Sequence, residues 1–138
     1  MAKRIFFDTA PFIYWMETHS EYFPVVSGFI IGEMEMAAVL VTSVLTHHEF
    51  TVKPARNENF QLITDFENCL IEMPFEVISI DLNISKHSVQ LRKKYVTMKA
   101  FDSVQIAAAI ASNCDLFLTN DKELKSIYEI KVQLISEL

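Results

Sequence analysis

A chain of 138 residues that is 51% apolar, with 2 Gly and 4 Pro, has the size of one domain and can bury a substantial core, which excludes a disordered tail. Its formal charge of −6 argues against a passive binder of phosphate backbones, which is normally basic, though not against a nucleic-acid enzyme that recruits divalent metal. Two cysteines, Cys69 and Cys114, sit in apolar or amphipathic settings and read as buried thiols in a reducing, cytoplasmic protein; the one disulfide they allow stays open, but they form no disulfide framework or zinc ligand set.

The chain opens on "RIFFDTAPFIYW", where a short buried strand over 4–7 ends in a carboxylate, Asp8. Lys3-Arg4 ahead of apolar residues resembles the start of a signal peptide, but Asp8 interrupts the run after three residues. A helix over 11–18 opens at Pro11, and a longer one covers 21–37. Inside the second, the spacing of Gly28 and Gly32 in "GFIIG" predicts a tight helix contact. The most apolar region, Phe29 to Leu45, contains Glu33 and Glu35 and is no membrane span. "AAVLVTSVL", 37–45, reads as a fully buried strand. Thr46 then caps a helix with Glu49 at the capping-box position, ended or interrupted by Pro54.

Apolar residues at Phe60, Ile63, Phe66, Leu70 and Met73 give a helical period over 57–73, closed by Pro74. "FEVISI", 75–80, alternates as a strand. Asp81 or Asn83 caps the next helix, which buries Ile84, Ser88, Leu91 and Tyr95 and carries Lys86, Arg92, Lys93 and Lys94 on its other face. "AFDSVQIAAAIASN", 100–113, is a buried, small-residue helix, and "CDLFLTND", 114–121, a strand running into a polar turn. A short helix over 122–128 and the strand "IKVQLI" finish the chain, with no repeat or linker. Apolar strands alternating with helices imply an α/β fold with a parallel sheet covered on both faces. In such sheets ligands bind at the carboxyl ends of the strands.

Four acids fall at that edge: Asp8 after the first strand, Glu49 a turn past the second, Asp102 at the start of the alanine-rich helix, and Asp121 after "LFLT". Each has an ordinary alternative: a helix cap for Asp8, a capping box for Glu49, a dipole partner for Asp102, a turn residue for Asp121. Their recurrence at one edge of one sheet favours chemistry. Clustered carboxylates repel, and Mg²⁺ or Mn²⁺, which prefer oxygen ligands, would cancel that repulsion. Two such ions roughly 3.5–4 Å apart suit phosphodiester hydrolysis.

"RIFFDTAPFIYW", "LVTSVLTHHEF" and "AFDSVQIAAAIASNCDLFLTND", in this order and spacing, resemble the PIN domain, and in particular the small VapC-type toxin nucleases. The resemblance spans essentially the full length, so residues 1–138 read as a single PIN-like domain. It implies a three-layer α/β/α sandwich around a mostly parallel sheet of four to five strands. It makes Asp8, Glu49 and Asp102 the core metal-binding acids and Asp121 a fourth, with Thr9 and Thr119 orienting ligands or water. It also implies a Mg²⁺- or Mn²⁺-dependent endoribonuclease, an RNA substrate, a cognate antitoxin and a homodimer. Ala10 departs from the pattern, since the family often has Asn or Ser there.

Arg92, Lys93, Lys94 and Lys99 form a candidate phosphate-contact patch, with Lys53 and Arg56 a weaker one; the ordinary alternative is a solvated helix face. His47 and His48 are adjacent on a helix and cannot both face one metal with Glu49, so they read as polar or interface residues, with His48 a minor candidate for substrate contact. The early aromatics Phe12, Tyr14, Trp15, Tyr22 and Phe23 read as core or partner contacts. A haloacid-dehalogenase-type phosphatase would need an acid at Ala10, a receiver domain an acidic pair, and a dinucleotide-binding domain a Gly-rich loop. A PIN nuclease of RNA processing and a catalytically silent PIN-fold binding module are the remaining rivals.

Overall fold

In the computed structural model, which describes residues 1–138, the apolar run after Arg4 forms β1 (Arg4–Phe7). Its period of two sends Ile5 and Phe7 into one core and Phe6 into the other, all fully buried. The order that follows is α1 (Thr9–Met16), α2 (Phe23–Glu35), β2 (Val39–Ser43), α3 (Val44–Arg56), α4 (Phe60–Glu72) and β3 (Glu76–Ile78). Then come α5 (Leu82–Lys94), α6 (Ala100–Ala111), β4 (Leu116–Thr119), a 3-10 turn (Lys122–Ser126), β5 (Lys131–Leu134) and a last 3-10 turn (Ile135–Glu137). No helix is long and apolar enough to cross a membrane.

All five strands are parallel, in the order β3-β2-β1-β4-β5. The chain builds outward from β1 to β3 and then returns to β1's other side to lay down β4 and β5. The strand order therefore reverses between β1 and β4, and a crevice opens at the carboxyl ends there. On one face α1 to α4 pack Phe7, Phe12, Phe50, Phe66 and Phe75 together, with Phe7 edge-on to Phe75 at 5.1 Å and Phe50 stacked on Phe66 at 4.1 Å. On the other face Phe6 stacks on Phe117 at 5.3 Å. There the buried Ala107, Ala108 and Ala109 bring α6 close to the sheet.

Several boundaries differ from the sequence reading for identifiable reasons. β2 stops at Ser43, whose hydroxyl accepts from the Leu45 N–H and so caps α3 three residues before Thr46. Thr46 is a buried residue of the first turn, and Glu49 lies beyond any capping-box position. Pro54 does not end α3, which runs on to Arg56. Gly28 and Gly32 make no tight contact: a Cβ built at either meets nothing within 4 Å, so "GFIIG" leaves an open face on α2. β3 is only three residues long and half exposed at the sheet edge. Of the two candidate caps for α5, Asp81 is used, accepting from the Ile84 N–H at 2.9 Å.

Candidate active site at the carboxyl edge of the sheet

Asp8 stands where β1 ends and α1 begins, at the reversal of strand order. Its backbone N–H continues the sheet, donating to the Leu118 carbonyl of β4 at 3.0 Å. Its carboxylate is 8% exposed, accepts from the Thr9 N–H at 2.8 Å, and accepts from the Thr119 hydroxyl of β4 at 2.8 Å. Asp8 is thus both a helix cap and a bridge across the crevice. Burial pushes its pKa up to about 6 against those two hydrogen bonds, and the charges of Asp102 and Glu49 push the same way.

Asp102, half-buried in the first turn of α6, is also raised. Burial is the main cause; Asp121, Glu49 and Glu123 add to it, while Lys99 opposes. Asp121 caps the 3-10 turn by accepting from the Glu123 N–H at 3.0 Å, and its own N–H donates to the Thr119 hydroxyl at 3.2 Å. Glu49 is exposed on α3. All four acids that the sequence singled out therefore act on one another at one edge, and Glu123, which it did not, joins them. None of the four is in an ion pair within the chain.

The donor set consists of hard oxygens, which suits Mg²⁺ or Mn²⁺ and not zinc. No three side chains are drawn together tightly enough to grip an ion as they stand. Asp8 is nonetheless a buried carboxylate with no cation of its own, and the buried Thr9 hydroxyl beside it has no hydrogen-bond partner. Both deficits suit an ion that keeps several of its waters and takes only a few carboxylates.

The basic residues divide. Lys99 lies beside Asp102, and the two share a narrow crevice with Glu123. Arg92 donates from Nε to the Met98 carbonyl at 3.3 Å and so braces the α5–α6 connection. Lys94 is committed to Glu129 at 3.1 Å and lies over the Tyr95 and Tyr128 rings. The Tyr95 hydroxyl, with Lys94, holds the Glu129 carboxyl down to about 2. Lys93 is exposed near them. His47 pairs with Glu67 at 2.7 Å and stacks on Phe66, while His48 faces outward. The largest surface cavity, lined in part by Lys3, Glu33, Asp115 and Lys131, opens at the opposite, amino edge of the sheet and holds none of the four acids.

The family model for the PIN domain matches residues 5–130. The chain belongs to the PIN domain family. A toxin–antitoxin complex from Klebsiella pneumoniae superposes with a TM-score of 0.74 at 20% identity, covering 97% of this chain and 99% of that one. VapBC2 from Rickettsia felis, bound to a DNA fragment from its promoter, gives 0.74 at 15%, covering 95% and 98%. The sarcin-ricin-loop-cleaving toxin VapC20 of Mycobacterium tuberculosis gives 0.67 at 12%, covering 92% and 98%. At these identities the likeness is one of fold. No match was found among curated proteins.

This PIN domain also uses polar side chains that the sequence reading passed over. Asn120 donates to the Tyr14 hydroxyl at 3.2 Å and accepts from the Ser136 N–H at 3.1 Å, fixing the loop between Thr119 and Asp121. Gln105 is fully buried in α6. The signal was available, since Gln105 is an amide among Val, Ile and Ala, where an unpartnered polar group would be costly.

Proposed function

We propose that this PIN domain is a divalent-metal-dependent endoribonuclease and the toxin of a type II toxin–antitoxin pair. The observation that carries the reading is the buried Asp8 carboxylate, bridged to Thr119 across the switch point and facing the charges of Asp102 and Glu49. Asp8 and Asp102 would hold the ion, with Glu49 and Asp121 completing the acidic edge. Mg²⁺ or Mn²⁺, when bound, supplies an acidified water and positive charge for the leaving oxygen of a phosphodiester. Thr119 fixes the carboxylate plane of Asp8, and the Thr9 hydroxyl is available to hold a water. Lys99 is the best placed of the basic residues to meet a phosphate, with Lys93 and Arg92 farther along the same surface and Lys94 the least available. No side chain is needed as a covalent nucleophile.

The fold shared with toxin–antitoxin complexes supports a cognate antitoxin as partner; the homodimer is part of the same proposal. A reducing, cytoplasmic setting follows from that role and from two free cysteines. One observation favours the silent-module alternative, namely that no three acids stand ready to chelate. The test is cleavage of a total-RNA pool with Mg²⁺, Mn²⁺ or EDTA, comparing the wild type with Asp102→Asn. Discrete fragments that require both metal and Asp102 are expected. Absence of cleavage by folded, partner-free protein under either metal would overturn the nuclease reading.

A further inference from the structure

Below the acidic edge, uncharged polar side chains tie together the elements that carry the acids. The Ser43 hydroxyl caps α3 and donates to Gln105 Oε1. Gln105 Nε2 donates to the Thr46 hydroxyl at 2.7 Å. The Thr42 hydroxyl donates to the carbonyl of Phe7, the residue before Asp8, at 2.8 Å. Thr42, Ser43, Thr46 and Gln105 are all 0% exposed. The amide of Gln105 is thereby fixed at both ends, its oxygen and nitrogen each on a different residue of one helix start.

Helical spacing gives this arrangement a consequence. Residues three apart lie on one side of a helix. Gln105 is three residues past Asp102 on α6, and Thr46 is three residues before Glu49 on α3. The Gln105–Thr46 bond therefore joins the two helices one turn away from the acid that each carries. Both acids are carboxylates carried by neighbouring helices at one edge, and like charges repel, so the helices need something to hold them together when the site has no cation. A buried amide bonded through both its oxygen and its nitrogen does this without adding charge.

We propose that Gln105 is a positioning residue that sets the separation of Glu49 and Asp102, and through it the affinity of the acidic edge for its ion; the second half of this rests on the metal-dependent reading above. Ordering by neighbours of ligands is a general feature of metal sites, and its loss weakens binding by about tenfold or more. A merely structural amide would cost stability alone. The Ser88–Ser103 hydroxyl pair, at 2.6 Å between α5 and α6, provides a matched control, because Ser88→Ala also removes a buried hydrogen bond from α6 but leaves α3 untouched.

The experiment has two readouts. In Mn²⁺ titration calorimetry, Gln105→Met should raise the Kd about tenfold, and Ser88→Ala should leave it within about twofold. In metal-free protein, a double-mutant cycle of Glu49→Gln with Asp102→Asn, measured by denaturant unfolding, reads the closeness of the two acids directly. The coupling should be present in the wild-type background and shrink in Gln105→Met. Unchanged coupling overturns the clamp whatever the metal does. An unchanged Mn²⁺ Kd overturns its link to the ion. A wild type that binds no Mn²⁺ but loses its coupling in Gln105→Met sinks the metal reading and leaves the clamp standing. Should Gln105→Met fail to fold, Thr46→Val removes the partner hydroxyl at constant shape and enters the same two measurements.

Discussion

The Asp8 carboxyl titrates near 6 in the folded protein, while an unfolded Asp titrates near 4. Between these values the folded state binds more protons than the unfolded one. Stability of the metal-free protein therefore falls as pH rises through that window, by on the order of 2–3 kcal/mol, and levels off above it. Asp102 is shifted in the same direction and adds to the fall. Asp8→Asn removes the ionisable group but keeps an acceptor for the Thr9 N–H, while the Thr119 hydroxyl can turn to accept from the new amide. This variant should melt at a higher temperature than the wild type near neutral pH, and its stability should fall less than the wild type's between about pH 4 and 6, keeping only the part due to Asp102. Thermal unfolding across that range checks both statements. A lower melting temperature for Asp8→Asn at neutral pH would contradict the crowding of charge at this edge. Asp8 was legible in the sequence because a carboxylate ending a buried strand has to be explained. Its bond to Thr119 was not, because the two residues are 111 apart and only the strand order makes them neighbours.

Helix ends account for most of the differences between sequence and structure. Four helices finish on a left-handed residue that is not glycine: Thr18 after α1, Ala37 after α2, Glu58 after α3 and Asn113 after α6. Each has the paired bonds of a Schellman motif, such as Ala38 N–H to Glu33 carbonyl at 3.0 Å and Ala37 N–H to Met34 carbonyl at 3.0 Å. Both glycines of the chain are instead inside α2, so the usual stop signal was missing, and the helices read over 11–18 and 21–37 were carried past their observed ends at Met16 and Glu35. The α3 start was misplaced for a related reason, since Ser43 and Thr46 are both competent caps and only the end of strand pairing decides between them. Left-handed backbone is costliest for a β-branched residue, and Thr18 has φ 49°. Thr18→Gly relieves that strain, less the greater entropy glycine loses on folding. The expected net gain is about 1 kcal/mol, or about 3 °C in melting temperature. Glu58→Gly should gain less, because Glu is not β-branched. A Thr18→Gly variant that melts below the wild type would show that its side chain contributes more than the backbone costs.

At the scale of the whole molecule, alternating apolar strands and helices made a parallel α/β sheet legible, and the positions of the four acids made its carboxyl edge legible as the site. Strand order was not, because nothing local in β1 says that β2 and β4 will flank it. The Ser43–Gln105–Thr46 link was hidden for the same reason, as its members come from distant segments that meet only once the sheet is formed. This architecture couples the site to global stability, since the acids hang from β1, α3, α6 and the end of β4, and drawing them together or apart loads the central strands. An ion bound only by the folded arrangement stabilises the entire chain by mass action, about 2.7 kcal/mol at a hundredfold excess over its Kd. Binding must displace the proton that Asp8 retains below about pH 6. The Mn²⁺-induced rise in melting temperature should accordingly be small at about pH 5 and grow toward about pH 7.5. That dependence opposes the fall in metal-free stability over the same range, so the two curves should diverge as pH rises. Differential scanning fluorimetry with Mn²⁺ and with EDTA reads both. The divergence should vanish in Asp8→Asn. A Mn²⁺ shift that survives this substitution undiminished would put the ion somewhere other than the end of β1.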